Sequence, residues 1–244
     1  MKGFGITDRG VVRTENQDCF RIEIMEDTGN AAVVLCDGMG GAQAGSVASR
    51  IAAEAFMSHA LSCFRRPDGV RDLSRTIREC SDYANIKVYD RSFSDFGCMG
   101  MGTTLVGVLR FEGETLVVNV GDSRAYLINT EFSERITRDH SLVEDLVRNG
   151  TITPEAAKLH PRRNVITRAL GVEQQVKCDV FRPTLRDGDV LLLCSDGLSN
   201  LVEETEFIRI LADSSDPEAY CRALLALAME RGAPDNVTVV ALYL

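Results

Sequence analysis

Short apolar segments, separated only by brief turns, limit the folds that this chain can adopt. Seven of them have the β-branched and large apolar residues typical of strands: residues 31–36, 104–111, 115–120, 124–128, 176–181, 190–194 and 237–244. The segment FEGET at 111–115 is typical of a hairpin turn, since its glycine supplies the positive φ that such turns need. Strands that follow one another on short turns favour antiparallel sheets with helices packed outside.

Helical patterns occur in two pairs that are separated by the strand-rich middle of the chain. One pair is predicted at about residues 44–64 and 73–88, where apolar residues recur at helical spacing, and the other near residues 204–211 and 217–230. This grouping predicts a layered α+β sandwich. The chain has no linker, repeat or low-complexity segment, so a single domain over residues 1–244 is predicted.

Composition and charge exclude several classes of partner. The net charge of −9 and the lack of a basic block argue against nucleic acid, whose binding requires Lys and Arg to neutralise phosphates. No run of 18 apolar residues is present, and the first residues lack the apolar core of a signal peptide, so a cytoplasmic protein without membrane contact is expected. The eight scattered cysteines are predicted to be free thiols.

Four aspartates stand at the ends of apolar strands. Asp37, Asp122 and Asp196 each follow a predicted strand, and Asp235 stands just before the last one. Such residues can converge in space although they are far apart in sequence. The alternative is that Asp-Gly is simply a common turn dipeptide, as the pairs at 68–69 and 187–188 are expected to be. The repeated position at strand ends favours a shared site.

Converging carboxylates repel one another, and a bound cation lets them stay ionised together. Oxygen ligands alone suit Mg²⁺ or Mn²⁺ rather than zinc, so a carboxylate-bound centre of two metal ions is the leading hypothesis. Such a centre activates water for hydrolysis of a phosphate ester. Arg13 is a candidate for holding the phosphate, because a guanidinium matches phosphate oxygens bidentately.

Eight short motifs, in order along nearly the whole chain, resemble those of the metal-dependent Ser/Thr protein phosphatases of the 2C type, in particular the compact bacterial members. They are DRGVVRTENQD at 8–18, DGMGG at 37–41, GTT at 102–104, NVGDSR at 119–124, TRDHSL at 137–142, HPRRNVITRALG at 160–171, DGD through SDG at 187–197, and PDN at 234–236.

The resemblance implies a four-layer α-β-β-α sandwich, with two central antiparallel sheets flanked by helix pairs. It implies that Asp37 bridges two ions, that the Gly38 carbonyl binds one of them, and that Asp196 and Asp235 complete the other. Asp18 is implied to act through metal-bound water.

The same resemblance assigns Asp122, with Asp196, to a third and weaker metal site, and Arg13 to the substrate phosphate. Residues from about 140 to 164 correspond to a mobile flap beside the site. The implied activity is hydrolysis of phosphoserine and phosphothreonine on proteins. A Ser/Thr kinase is a candidate partner, and a monomer is expected.

One position departs from the family pattern. Bacterial members often carry His directly after DGMGG, whereas this chain has Ala42. His160 is the nearest substitute, although a role in the flap framework is an equal alternative, so it is not assigned to catalysis. The proton for the leaving oxygen then comes from metal-bound water, or activity is lower than usual. This departure supports the alternative of a weak or inactive binding protein on the phosphatase fold.

Two other classes fit less well. GDSRA at 121–125 approaches the G-x-S-x-G elbow of serine hydrolases, but a strand rather than a helix is predicted after Ser123. Gly40 and Gly45 have the spacing of a phosphate-binding P-loop, but Ser46 and Val47 stand where Lys and Ser or Thr are required.

Overall fold

The computed structural model describes residues 1–41, 44–66 and 69–244. The strands of these residues are β1 (Lys2–Asp8), β2 (Asp18–Met25), β3 (Asn30–Met39), β4 (Gly102–Thr103), β5 (Leu105–Phe111), β6 (Glu114–Val120), β7 (Arg124–Ile128), β8 (Ser133–Arg135), β9 (Asp179–Phe181), β10 (Val190–Cys194) and β11 (Val237–Tyr243). The helices are α1 (Ala44–Phe64), α2 (Leu73–Ser94), α3 (Leu142–Arg148), α4 (Pro154–Lys158), α5 (Asp196–Ser199), α6 (Glu204–Ala212) and α7 (Pro217–Glu230).

The strands form two antiparallel sheets. The first has the order β1-β11-β10-β7-β8, and the second has the order β2-β3-β5-β6-β9, with β4 paired to the end of β3. Apolar side chains of both sheets meet in a central core, α1 and α2 cover the outer face of the second sheet, and α6 and α7 cover the first. The predicted four-layer α-β-β-α sandwich is confirmed.

Local signals located most of the elements. The helices predicted at 44–64 and 217–230 agree with α1 and α7, and the segment at 111–115 is a hairpin turn in which Glu112 has φ 49° and Gly113 φ 84°. All eight cysteines are free, as predicted. No helix within the described residues is both long and apolar enough to cross a membrane.

Two edge strands, β1 and β2, were not among the predictions. In β1, Gly3 and Gly5 lower the apparent strand propensity, since glycine usually weakens a strand. A Cβ on Gly5 would lie 2.4 Å from the Phe20 ring of β2, so this glycine makes room for an aromatic side chain of the other sheet. The requirement comes from packing between sheets, which no local pattern contains.

The segment predicted as a strand at 176–181 was too long, because only Asp179–Phe181 pairs, with β6. The short strand β8 and the short helices α3, α4 and α5 were also missed. Each has fewer than eight residues, which is too few for periodicity to be recognised. Helices α3 and α4 lie within the predicted flap at 140–164. The mobility of this flap and the single domain over residues 1–244 stay predictions.

Candidate metal centre

Asp18 and Asp37 lie opposite each other on the two neighbouring strands β2 and β3. The Gly38 N–H donates to the Gln17 carbonyl oxygen at 3.1 Å, so the Asp18–Asp37 pair occupies a position between ladder hydrogen bonds, where facing side chains are closest. One prediction is corrected here: Asp37 and Gly38 lie inside β3 rather than after it, because β4 pairs with the end of that strand.

Three further aspartates reach the same edge from loops between strands. Asp196 begins α5 directly after β10, and Asp235 precedes β11, the antiparallel neighbour of β10. Asp122 lies in the short connection from β6 to β7, which passes from one sheet to the other. The five predicted carboxylates therefore come from strands and connections of both sheets, at the edge where the two sheets face each other.

The pKa values of these carboxylates are raised, and the carboxylates contribute to one another's shifts. Burial, together with Asp18, Asp196, Asp122 and Asp235, raises the pKa of Asp37 well above its ordinary value. Burial is also the main cause that raises the pKa of Asp18 to about 6, of Asp196 to about 6 and of Asp122 to about 7. Mutual repulsion adds to each shift, so negative charge is poorly compensated at this edge.

Two carboxylate oxygens in the cluster are shielded from water and have no hydrogen-bond partner in the described structure: Asp18 Oδ1 and Asp196 Oδ1. Their other oxygens are paired, since Asp18 Oδ2 accepts from the Thr238 hydroxyl at 2.6 Å and Asp196 Oδ2 accepts from Asn200 Nδ2 at 3.2 Å. Unpaired, desolvated carboxylate oxygens are destabilising unless a cation or proton satisfies them. The donor set therefore fits a hard divalent ion such as Mn²⁺ or Mg²⁺.

The aspartate side chains of the cluster do not surround a common metal position in the described structure. Among the residues that the structure describes, no group of three or more His, Cys, Asp or Glu is arranged to hold a metal ion. The carboxylates instead have protein partners, because Thr238 and Asn200 bind two of them and Arg13 binds Asp235. A shared ion would compete with these partners for the carboxylate oxygens that they occupy.

The glycines of the two site Asp-Gly pairs differ from a turn glycine. A Cβ on Gly38 would lie 2.0 Å from the Gly45 carbonyl oxygen, and one on Gly197 would lie 2.0 Å from the Asn236 carbonyl oxygen. By contrast, Gly188 has φ 90° and open space around it, so the pair at 187–188 is the ordinary turn that was predicted. At the site, glycine permits close backbone approach rather than a positive φ.

Arg13 lies at the rim of the cluster. Its Nη2 is 2.7 Å from Asp235 Oδ2, and both side chains are partly exposed. Asn236 holds the surrounding loop, because its Nδ2 donates to the carbonyl oxygens of Arg9 and Glu15 and its Oδ1 accepts from the Gln17 N–H. The sequence analysis did not predict this role of Asn236. The one signal for it in the sequence was the position of Asn236 between Asp235 and β11.

A buried hydroxyl network fixes the backbone of Asp37. The Asp37 N–H donates to Thr104 Oγ1 at 2.9 Å, and the Asp37 carbonyl oxygen accepts from Thr103 Oγ1 at 2.9 Å. Thr104 Oγ1 in turn lies 2.7 Å from Ser123 Oγ, which is buried. Because Ser123 is followed directly by β7, the serine-hydrolase alternative fails on its structural requirement.

The flap begins at a second histidine, His140, which the predictions did not include. Its Nδ1 accepts from the Gly121 N–H at 3.1 Å, next to Asp122, and burial lowers its pKa. His160 lies farther along, where its Nδ1 accepts from the Arg162 N–H at 3.2 Å, a local contact that suits the flap-framework alternative. Ala42 lies outside the described residues.

The metal-free protein is expected to lose stability as the pH rises from about 4 to 7. The raised pKa values of Asp18, Asp196 and Asp122 mean that the folded state keeps protons that the unfolded chain, with aspartates near 4, has released. This contribution is complete below about pH 4 and is lost as the pH passes through the folded pKa values. Urea unfolding in EDTA at several pH values measures it.

The variant Asp122→Asn is the control for this pH dependence, because histidines titrate in the same range. Its free energy of unfolding should fall less steeply with pH between about 5 and 7 than that of the wild type. Parallel slopes for the two proteins would contradict a raised pKa for Asp122.

Comparison with known proteins places this fold among phosphatases. Residues 11–228 match the family model of protein phosphatase 2C. Serine/threonine phosphatase stp of Listeria monocytogenes is 37% identical, over 96% of this chain and 92% of its own length. The crystal structure of serine/threonine phosphatase Stp1 from Staphylococcus aureus matches with a TM-score of 0.86 at 35% identity, covering 100% of this chain and 94% of that one.

A further structure resembles the chain and holds metal. The catalytic domain of the serine/threonine protein phosphatase PstP, in complex with two manganese ions, matches with a TM-score of 0.81 at 33% identity, over 98% of this chain and 96% of that one. The two facing sheets and the family match define a phosphatase of the metal-dependent class. The chain belongs to the protein phosphatase 2C family.

Proposed function

We propose that this protein removes phosphate from phosphoserine and phosphothreonine in proteins at a centre of two Mn²⁺ or Mg²⁺ ions. Protein serine/threonine phosphatase activity follows from its family membership and from relatives that match nearly the whole chain. The observation that best supports the metal centre in this chain is the pair of shielded, unpartnered oxygens in a cluster of five aspartates. Bound metal would satisfy these oxygens, lower the pKa of water and neutralise charge on the phosphate.

In this proposal Asp37 bridges the two ions, the Gly38 carbonyl binds one, and Asp196 and Asp235 hold the other. Asp37 suits the central position because every other carboxylate of the cluster contributes to its raised pKa. Asp18 acts through a water molecule, which accords with its hydrogen bond to Thr238.

Asp122, with Asp196, is proposed for the third and weaker site. It approaches the cluster from the connection between β6 and β7, and repulsion from Asp196 contributes to its raised pKa. The partner, oligomeric state and location of the protein are not addressed by the site. A cognate Ser/Thr kinase as partner, the monomeric state and the cytoplasmic location stay predictions.

Metal removal tests the function. Purified protein treated with excess EDTA should not hydrolyse p-nitrophenyl phosphate or phosphopeptides, and added Mn²⁺ or Mg²⁺ should restore turnover. Phosphothreonine and phosphoserine peptides should be hydrolysed, and the matched phosphotyrosine peptide should be a poorer substrate. Undiminished turnover in EDTA would refute the metal mechanism. Metal binding by calorimetry without turnover would favour the alternative of an inactive binding protein.

Arg13 is proposed to bind the substrate phosphate. Its Nη2 is 2.7 Å from Asp235 Oδ2, so a metal ion held by Asp235 would compete with Arg13 for this carboxylate. The guanidinium would then be available to bind phosphate oxygens bidentately.

Replacing Arg13 by Ala should raise KM about tenfold with a smaller change in kcat, as expected when ground-state binding by a charged hydrogen bond is lost. Steady-state kinetics with a phosphothreonine peptide at saturating Mn²⁺ measure this change. Arg9→Ala is the matched control, because Arg9 is an exposed arginine of the same loop. An unchanged KM for Arg13→Ala would remove Arg13 from phosphate binding.

A further inference from the structure

A groove with a mostly apolar lining adjoins the candidate metal centre and has no assigned role. It has a volume of about 470 Å³ and lies between β2 and the first turns of α1. Asp18 forms part of its wall, so the groove opens directly from the proposed site of hydrolysis. Two arginines, Arg21 of β2 and Arg50 of α1, also line it.

The groove runs around edge strand β2, because side chains from both faces of this strand line it. Phe20 and Ile22 point into the core between the sheets, whereas Cys19 and Arg21 point towards α1. Arg21 Nη1 donates to the Phe20 carbonyl oxygen at 2.8 Å, and Nη2 lies 3.2 Å from Glu54 Oε1. These contacts aim the guanidinium at the helix.

Arg50 comes one turn before Glu54 on α1, so the two side chains share a face of the helix. Arg50 is exposed, and within the described part of the chain no carboxylate lies at ion-pair distance from it. Arg21 is paired with Glu54, which lies outside the groove lining. The charged side chains that line the groove are Arg21, Arg50 and Asp18, so its lining has more positive than negative groups in a chain whose net charge is −9.

We propose that Arg21 and Arg50 form a specificity subsite for an anionic side chain of the phosphoprotein substrate. This inference rests on the proposed function. Asp18 and Arg21 are three positions apart on β2, which is about 10 Å along the strand, and their side chains leave opposite faces of it. An extended peptide spans that length in about three residues, so the anion belongs at least about three positions from the phosphorylated residue. It is the carboxylate of Asp or Glu, or a second phosphate.

Peptide substrates test the subsite in the wild-type enzyme. A phosphothreonine peptide with neutral flanks is compared with versions that carry Glu, or a second phosphoserine, three positions before or after the phosphothreonine. An anion on one side should raise kcat/KM about three- to tenfold, the gain of one or two exposed ion pairs. The gain should shrink as salt is raised from 0.05 to 0.5 M, because screening weakens such pairs. Equal values for all peptides would overturn the subsite.

Variants assign the preference to residues. The ratio of kcat/KM for the best anionic peptide to that for the neutral peptide should fall towards one in Arg50→Gln and Arg21→Gln, and Arg50→Lys should keep part of it. The ratio divides out any general loss of activity. Arg65→Gln is the matched control, since Arg65 is exposed at the far end of α1, about 22 Å from Arg50. A ratio that persists in both glutamine variants would overturn the assignment.

The two hypotheses fail in different ways. Hydrolysis of every peptide at one rate refutes the subsite and leaves the phosphatase function intact. If no peptide is hydrolysed, the proposed function fails, and fluorescence anisotropy with the same labelled peptides then decides on the subsite. Tighter binding of the anionic peptides than of the neutral one would support it, and equal binding would refute it.

Discussion

Replacing Asp37 by Asn is expected to lower kcat/KM at least about 10²–10³-fold, the range found when one group that stabilises transition-state charge is removed. Asp37 is the most central acid of the cluster, since Asp18, Asp196, Asp122 and Asp235 all raise its pKa. An amide has one oxygen and no charge, so it cannot bridge two cations. Steady-state kinetics across a Mn²⁺ titration measure the loss.

The same substitution should make the metal-free protein more stable. Desolvation and repulsion disfavour the Asp37 carboxylate in the folded state, and a neutral amide of the same shape removes both effects. A gain of about 1–3 kcal/mol in the free energy of unfolding is expected in EDTA at pH 8. Denaturant unfolding measures it. Opposite changes in activity and stability are the signature of a site that has been kept for function.

Asp187→Asn is the control for Asp37→Asn, because Asp187 belongs to an exposed turn with the same Asp-Gly sequence. It should change neither activity nor stability appreciably. Near-normal kcat in Asp37→Asn would exclude Asp37 from the metal centre, and a large loss of metal-free stability would show that its role is structural.

Replacing Gly38 by Ala is expected to lower the free energy of unfolding by about 3 kcal/mol and to remove most of the activity. The added Cβ would lie 2.0 Å from the Gly45 carbonyl oxygen and 2.7 Å from the Gln17 carbonyl oxygen. Both neighbours are backbone atoms, so no side-chain rotation relieves the contact. Helix α1 has to shift away from β3 at the position next to Asp37.

Gly41→Ala is the matched control from the same glycine-rich segment, because a Cβ there meets no atom within 4 Å. Thermal unfolding and phosphatase assays on both variants compare the two positions. Gly38→Ala should melt about 6–12 °C lower than Gly41→Ala, at about 2–4 °C per kcal/mol for a chain of this size. Equal melting temperatures would show that the close approach of β3 and α1 is not needed.

Periodicity and turn chemistry were sufficient to predict much of this fold. The strand at 124–128 and the helix at 217–230 were recognised because each buries a continuous apolar set and ends at a clear signal. Edge strand β1 was not, because Gly5 is present to admit Phe20 from the other sheet. A residue that serves a distant neighbour gives a misleading local signal.

The candidate site also has features that the sequence predicted and features that it did not. Positions such as Asp196, directly after an apolar strand, are visible in the sequence because strand ends are where polar groups can leave the core. The contacts of Asn236 with the Arg9, Glu15 and Gln17 backbone were not visible, since they join segments more than 200 residues apart. The resemblance of motifs identified the candidate aspartate ligands but not the residues that hold their backbone in place.

The sequence by itself determined which residues can form strands, helices and turns, and which carboxylates are available for metal, because those properties depend on side-chain chemistry and short-range spacing. Only the tertiary structure decided that Gly38 and Gly197 serve close backbone approach whereas Gly188 serves a turn. It also decided that Arg21 and Arg50 face one groove beside Asp18. These outcomes depend on which strands and helices pack together, and distances between separate elements are set by the whole core.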